Sequence, residues 1–155
     1  MTANAASRQL LIEKLVEHGA AVFEPVGGRA DVDLAVRAGD GQYVEVVIRE
    51  AASPDKPRAF LMRRFRPRPH LFIVGVAQTP DGPEAWLLPS NVFERFAAGA
   101  PGEPEWLLDL DDAAGEPLGE RLAVYRERWA LIADYSKFRS TLGDPLSLQV
   151  RIAMG

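Results

Sequence analysis

The fold is decided by residues 31–49, which read DVDLAVRAGDGQYVEVVIR. Apolar and polar residues alternate on both sides of a central AGDG sequence, and such alternation is typical of strands that bury one face. Glycine and aspartate at residues 38–41 tolerate positive φ angles, so they predict the tight turn of an antiparallel hairpin. Matching the apolar faces of the two strands requires pairings such as Val36 with Val44, or Val36 with another residue of the same parity near Gln42.

The opposite face of this hairpin is charged. Depending on the register, Asp33 lies opposite Val47 or Glu45, and Arg49 follows on the same face. Carboxylates placed this close repel each other unless a cation or Arg49 lies between them. The pattern therefore predicts either a metal-dependent phosphodiesterase site or an ordinary solvated sheet face.

The composition narrows the class of protein. A chain of 155 residues with 47% apolar residues predicts one globular domain with a substantial core. The absence of cysteine excludes disulfides and thiolate sites, and it fits a reducing cytoplasm. No apolar run approaches the ~18 residues that span a bilayer, and the first residues do not resemble a secretory signal. We expect a cytoplasmic protein without a membrane partner.

Charge is unevenly distributed along the chain. Its net value of −4 excludes a uniformly basic nucleic-acid binder, but residues 56–68 contain six cations and no acid. These cations are Lys56, Arg58, Arg63, Arg64, Arg66 and Arg68. Residues 97–120 contain only acidic charges. The basic block predicts a DNA- or RNA-binding face, unless the two blocks attract each other within the chain or across a homodimer.

Other segments predict the elements around the hairpin. Residues 7–18 favour a helix with Leu11 and Leu15 on its apolar face, Ser7 as its N-cap and Gly19 after its end. We expect further helices at residues 57–65, 91–98 (capped by Ser90) and 119–135. We expect further strands at residues 20–24, 71–77, 84–88, 106–110 and 147–153.

Several of these segments together resemble the PD-(D/E)XK nuclease superfamily, over residues 10–96. The resemblance depends on LLIEKLVEHG, DVDLAV, VEVVIRE, RPHLFIVGVA and WLLPSNVF. YRERWALI is similar to a segment of uncharacterised bacterial relatives. The resemblance implies a restriction-endonuclease-like α/β fold with an αβββαβ core and a central mixed sheet flanked by helices. The core would occupy about residues 7–98 of a single domain, followed by an extension at residues 99–155 with the helix at 119–135.

The resemblance also implies roles for named side chains. Asp33 and Glu45 would bind Mg²⁺, assisted by Glu13 on the first helix. The metal would lower the pKa of the attacking water and neutralise charge on the phosphate. In this superfamily a lysine follows the second acid by two residues. The candidate catalytic residues are therefore Asp33, Glu45 and Arg49, and the candidate metal ligands are Glu13, Asp33 and Glu45.

Val47 breaks the superfamily pattern in either alignment. If Glu45 is the second acid, Val47 occupies the lysine position; if Arg49 replaces the lysine, Val47 occupies the acid position. Glu45 and Arg49 themselves would lie ~13 Å apart along a strand, too far for one compact site. We therefore expect a nuclease-like domain with a degenerate metal site that binds nucleic acid or a protein without efficient cleavage. The alternatives are an active, divergent Mg²⁺ nuclease in DNA defence or repair, and a plain oligomerisation module.

Overall fold

The structure, a computed structural model, describes residues 5–26, 31–63, 66–99, 104–112 and 117–154. Seven strands and six helices, with one 3₁₀ turn between the third and fourth helices, form the described part of the chain. The strands are β1 (Ala21–Phe23), β2 (Leu34–Arg37), β3 (Tyr43–Glu50), β4 (Ala59–Arg63), β5 (Leu71–Thr79), β6 (Gly82–Pro89) and β7 (Glu105–Asp109). The helices are α1 (Ala5–Glu17), α2 (Ser90–Phe96), α3 (Leu118–Arg121), α4 (Ala130–Ala133), α5 (Tyr135–Phe138) and α6 (Pro145–Ala153).

A five-stranded sheet in the order β1-β2-β3-β5-β6 forms the centre of the fold. Only β3 and β5 are parallel, and the other neighbours are antiparallel, so the sheet is mixed. Both faces of β5 are buried, as its unbroken apolar run predicts. The predicted α/β class, with a central mixed sheet flanked by helices, is confirmed.

The opening hairpin forms in one of the registers that match its two apolar faces. Val36 pairs with Val44, and Leu34 pairs with Val46. Gly41 at the turn has a φ of 91°, and Gln42 donates its amide hydrogen to Asp40. Because Leu34 faces Val46, the preceding residue, Asp33, lies across from Val47 rather than from Glu45.

The helix predicted at residues 57–65 is wrong, because the chain forms strand β4 there. β4 pairs with β7 in a separate two-stranded sheet, with Phe60 opposite Leu108. The side chain of Phe60 is fully buried over Gly75 of β5, which lacks the Cβ that would occupy that space. Pairing and packing between distant segments therefore override the local preference of this stretch.

The long helix predicted at residues 119–135 is also wrong. The chain turns through α3, the 3₁₀ turn, α4 and α5, and Glu127 between them has a φ of 52°. Its amide donates to Ala85 O at 2.8 Å, and its carboxylate accepts from Ala85 N at 2.6 Å. These hydrogen bonds attach the segment to the outer edge of β6 and interrupt any continuous helix.

The last segment is helical, so the strand predicted at residues 147–153 is wrong. Asp144 caps α6 by accepting from Leu146 N, and Pro145 occupies the first helical turn. Asp144 also accepts from the Ser147 hydroxyl, and these hydrogen bonds lower the pKa of its carboxyl.

Two predicted caps are wrong as well. Ser7 lies inside α1 and is buried rather than at its start. Ser90 makes no cap hydrogen bond; its hydroxyl instead exchanges hydrogen bonds with the backbone of Arg68. Gly19 ends α1 with a φ of 92°, as predicted. Among the described residues no helix has the length and apolarity needed to cross a membrane.

Candidate functional site

Asp33 directly precedes β2, and it extends the hydrogen bonding between the two strands of the hairpin by one residue. Its amide donates to Val46 O at 2.8 Å, and its carboxylate Oδ2 accepts from Ile48 N at 2.7 Å. The side chain is 13% exposed. The hydrogen bond that the amide donates to β3 and the one that the carboxylate accepts from β3 therefore fix Asp33 on the sheet.

Two guanidinium groups lie against the same carboxylate. Arg8 of α1 donates from Nη1 to Asp33 O at 2.9 Å, and its Nη2 lies 3.5 Å from Oδ1. Arg49 Nη1 lies 3.9 Å from Oδ2 and donates to Ile48 O at 2.9 Å. Both arginines are about three-quarters covered. Asp33 is thus compensated by two positive charges from two different elements.

Burial lowers the pKa of the Arg49 guanidinium, and the neighbouring Asp33 carboxylate opposes part of that shift. A guanidinium remains charged throughout the physiological range even so. Arg49 therefore acts here as a fixed cation rather than as a proton acceptor.

Glu45 lies two pairs further along the hairpin, opposite Ala35. Its carboxylate lies 3.3 Å from Arg68 Nη2, and Arg68 Nη1 is 3.5 Å from Asp31. Glu45 therefore faces an arginine of the segment before β5, as Asp33 faces Arg8 and Arg49. Three guanidiniums on this face balance three carboxylates.

The remaining predicted site residues are placed differently. Val47 is 3% exposed and belongs to the core, while Glu13 is exposed on α1 and accepts from Gln9 at 3.0 Å. The α1 side chain that contacts Asp33 is Arg8. Within the described ranges no three His, Cys, Asp or Glu side chains are grouped so that they could hold a metal ion.

Three of the six cations of the basic block pair with the acidic block inside the chain. Lys56 lies 3.4 Å from Asp109, and Arg63 lies 3.4 Å from Glu105, which is its partner across the β4–β7 ladder. Arg58 makes a 2.7 Å contact with Asp111 and stacks over the Trp86 ring. The two charge blocks therefore meet within one chain.

The other members of the block differ from these three. Arg68 pairs with Asp31 and Glu45, as described above. Arg66 is exposed and forms no ion pair with any other described residue. Arg64 lies outside the described residues. The assignment of the block to nucleic-acid binding stays a prediction, with Arg66 as its free cation in the described part of the block.

Sequence reasoning missed Arg8 and its contact with Asp33. A signal was present, because Arg8 precedes Leu11 by three residues and Leu15 by seven, so it shares their side of a helix. Leu11 and Leu15 are fully buried, and a cation on the same stripe must find a partner beneath the helix. The identity of that partner depends on the docking of α1 on the sheet, which periodicity does not give.

Comparison with known proteins shows a likeness to a solved structure. No protein-family model matches the chain, and no curated protein matches it. The chain is similar to a solved structure, that of a bacterial homing endonuclease, I-Ssp6803I, with a TM-score of 0.60. The two sequences are 22% identical, and the match covers 90% of this chain and 98% of that chain. The fold is therefore nuclease-like, and membership of the PD-(D/E)XK superfamily stays a prediction.

Proposed function

We propose that this chain is a nuclease-like domain that binds nucleic acid without metal-dependent cleavage. The observation that carries the proposal is the pairing of Asp33 with Arg8, Arg49 and the Ile48 amide, across from the apolar Val47. The similar solved structure is an endonuclease, whose class of substrate is nucleic acid, and the likeness extends over nearly all of both chains.

The residues at Asp33 do not fit a divalent cation. Mg²⁺ takes oxygen ligands in near-ideal octahedral geometry, usually from one or two carboxylates together with waters and substrate phosphates. One oxygen of Asp33 faces Arg8 and the other faces both Ile48 N and Arg49, so a cation would have to displace guanidiniums. Val47 supplies no oxygen where the second carboxylate is needed, and Glu45 is paired with Arg68.

The electrostatics of this face support the same proposal. A metal site without its metal holds carboxylates whose negative charges repel each other, and metal binding relieves that repulsion. Here the carboxylates are already neutralised by arginines, so a divalent cation gains little Coulomb energy and must be dehydrated. Arg66, which is exposed and forms no ion pair with any other described residue, keeps its guanidinium available to a phosphate, a group that guanidiniums bind in a bidentate geometry.

Cleavage and binding assays on the same substrates test the proposal. Supercoiled DNA, linear duplex, single-stranded DNA and RNA are incubated with the purified chain in Mg²⁺ or Mn²⁺, and retention is measured by gel shift at low salt. We expect retention that weakens as salt rises, with every substrate intact.

Asp33→Asn is the matched control, because it removes the charge and keeps an acceptor for the Ile48 amide. Cleavage that depends on metal and disappears in Asp33→Asn would establish the active nuclease instead. Absence of retention on all four substrates at low salt would refute nucleic-acid binding.

A further inference from the structure

A second concave site lies at the beginning of β5, between the sheet and the C-terminal helices. This cleft has a volume of about 370 Å³, and its walls come from the 67–72 segment, the β6–α2 junction and residues 135–143. Its polar lining residues are Arg68, His70, Ser90, Asn91, Tyr135 and Arg139. None of the described residues that line it is acidic, although the whole chain carries a net charge of −4.

His70 is held in an uncommon conformation in this cleft. Its φ is 65°, a left-handed value that non-glycine residues seldom adopt and that often marks a functional position. Its ring Nδ1 is closed off from solvent without a hydrogen-bond partner among the described residues. His70 as a whole is half-buried and lines the cleft, so part of the residue is within reach of a ligand.

Neighbouring residues hold this conformation in place. His70 O accepts from Glu45 N at 2.7 Å, and the His70 ring lies 5.2 Å from the Tyr135 ring. Ser90 is buried, and its hydroxyl exchanges hydrogen bonds of 3.0 and 2.7 Å with the amide and carbonyl of Arg68. The cleft is therefore built on fixed backbone rather than on a free loop.

Two arginines line the cleft, and they differ in their ion pairs. Arg139 is exposed and forms no ion pair with any other described residue. Arg68 also lines the cleft, but its Nη1 already lies 3.5 Å from Asp31 and its Nη2 lies 3.3 Å from Glu45. Arg139, the His70 imidazole and the Asn91 amide therefore supply the available donors, and no carboxylate belongs to the described lining. Such a set suits a phosphate group, which accepts several charge-assisted hydrogen bonds.

We propose that this cleft binds a phosphate monoester, carried either by a free nucleotide or by the 5′ end of a nucleic-acid strand. Its volume lies within the range of small-molecule sites, and the aromatic Phe72 and Tyr135 line it beside the cations. If the phosphate belongs to the end of a nucleic-acid strand, the inference rests on the proposed function. If it belongs to a free nucleotide, the inference stands alone, since a mononucleotide can occupy the cleft without any duplex binding.

Calorimetric titration of the full chain tests this site with inorganic phosphate, adenosine monophosphate and a short oligonucleotide with or without a 5′ phosphate. Arg139→Gln and His70→Asn are the test variants; asparagine tolerates the left-handed backbone of position 70. Arg121→Gln, an exposed arginine on α3 outside the cleft lining, is the matched control for net charge. Melting temperatures of all variants show whether each one folds.

We expect saturable binding of adenosine monophosphate that both test variants weaken by about tenfold or more and that Arg121→Gln leaves unchanged. Tighter binding of the 5′-phosphorylated oligonucleotide than of the 5′-hydroxyl form identifies a strand end as the source. Equal oligonucleotide binding beside tight mononucleotide binding identifies a free nucleotide.

The inference is overturned if no phosphate ligand binds saturably at millimolar concentration. It is also overturned if the two test variants bind as the wild type does, or if Arg121→Gln weakens binding as much as they do. Retention of unphosphorylated duplex is measured separately, so failure of the cleft and failure of the proposed function can be told apart.

Discussion

At the scale of single residues, Asp33 has the surroundings of a structural ion pair rather than of a metal ligand. Its carboxylate accepts from Ile48 N and lies against Arg8 and Arg49, all within a site that is largely covered. Removing one member of such a group leaves the others desolvated and uncompensated. The negative charge of Asp33 is therefore needed to balance the arginines. In an empty metal site the opposite holds, because neutralising one carboxylate relieves its repulsion with the others.

Asp33→Asn is predicted to lower the free energy of unfolding by about 1–3 kcal/mol in the presence of EDTA, because two half-buried guanidiniums lose their counter-charge. Urea denaturation followed by circular dichroism measures the change. Glu13→Gln, an exposed acid on α1, is the control and should change stability little. A more stable Asp33→Asn variant in EDTA would show that Asp33 belongs to a repulsive acidic site.

Sequence reasoning at this scale succeeded where contacts are local. The alternation of residues 31–49 limited the hairpin to registers that match the apolar faces, and Val36 opposite Val44, the register observed, is one of them. It also predicted that Asp33 and Glu45 share a face, because side chains alternate strictly along strands. The pairing of Asp33 with Arg8 joins residues 25 positions apart through the docking of a helix, so no local period encodes it.

At the scale of elements, the β4–β7 sheet lies over the central sheet through one tight contact. A Cβ added to Gly75 would lie 2.6 Å from two atoms of the Phe60 ring, which is fully buried. Real side chains essentially never approach so closely, so the ring or the strand must move. The absence of a side chain at position 75 is therefore what allows β4 to pack on β5.

Gly75→Ala is predicted to destabilise the protein by about 1–3 kcal/mol through overpacking. Thermal unfolding measures the effect, and the double variant Gly75→Ala/Phe60→Leu should recover part of the loss by making space. Gly39→Ala is the matched control, since a Cβ there would lie at an ordinary 3.7 Å from Ala133 O. Equal stability of both alanine variants would contradict the packing described here.

The segment that breaks the predicted long helix is attached to β6 by Glu127. Glu127→Ala removes the acceptor of the Ala85 amide, and we predict a loss of about 1–3 kcal/mol because that donor is left without its partner. Glu127→Gln retains an acceptor oxygen and should lose less. Denaturant titration of the pair checks the prediction, and an unchanged Glu127→Ala variant would refute this attachment.

The same segment explains why the helix could not be predicted from the sequence. Leu122, Tyr125, Trp129 and Ile132 recur at helical spacing and are all buried. Their periodicity shows only that these side chains are buried on one side of the segment. A series of short helical turns can bury them as well as one continuous helix can. The hydrogen bonds between Glu127 and Ala85 link residues 42 positions apart and decide the outcome. Asp144 and Pro145, in contrast, are a local helix-start signal before α6, and the strand predicted at residues 147–153 overlooked it.

At the scale of the whole molecule, the charges of the basic block are largely balanced inside the chain. Lys56, Arg58 and Arg63 meet acids of β7 and the residues after it, and exposed pairs of this kind contribute roughly 0–1 kcal/mol each to stability. Their main consequence concerns binding, because a paired cation is less available to a phosphate. Nucleic-acid affinity should therefore depend on the unpaired arginines.

Arg66→Gln is predicted to weaken DNA binding. The slope of log affinity against log salt concentration should fall by about one, which corresponds to the loss of one phosphate contact. Arg63→Gln removes the same charge from a residue that already pairs with Glu105, so it should change affinity less. Binding isotherms over a range of salt concentrations compare the two variants. Equal losses would mean that the contacts within the chain do not govern the interface.

The most direct test of the central claim is fluorescence anisotropy of labelled DNA titrated with the full chain at low salt, once in EDTA and once in Mg²⁺. If the chain binds nucleic acid without a metal, the two isotherms should coincide apart from ordinary screening by the divalent salt, and the DNA should be recovered intact. Binding that requires Mg²⁺, or DNA that is cut in Mg²⁺ but not in EDTA, would contradict the claim.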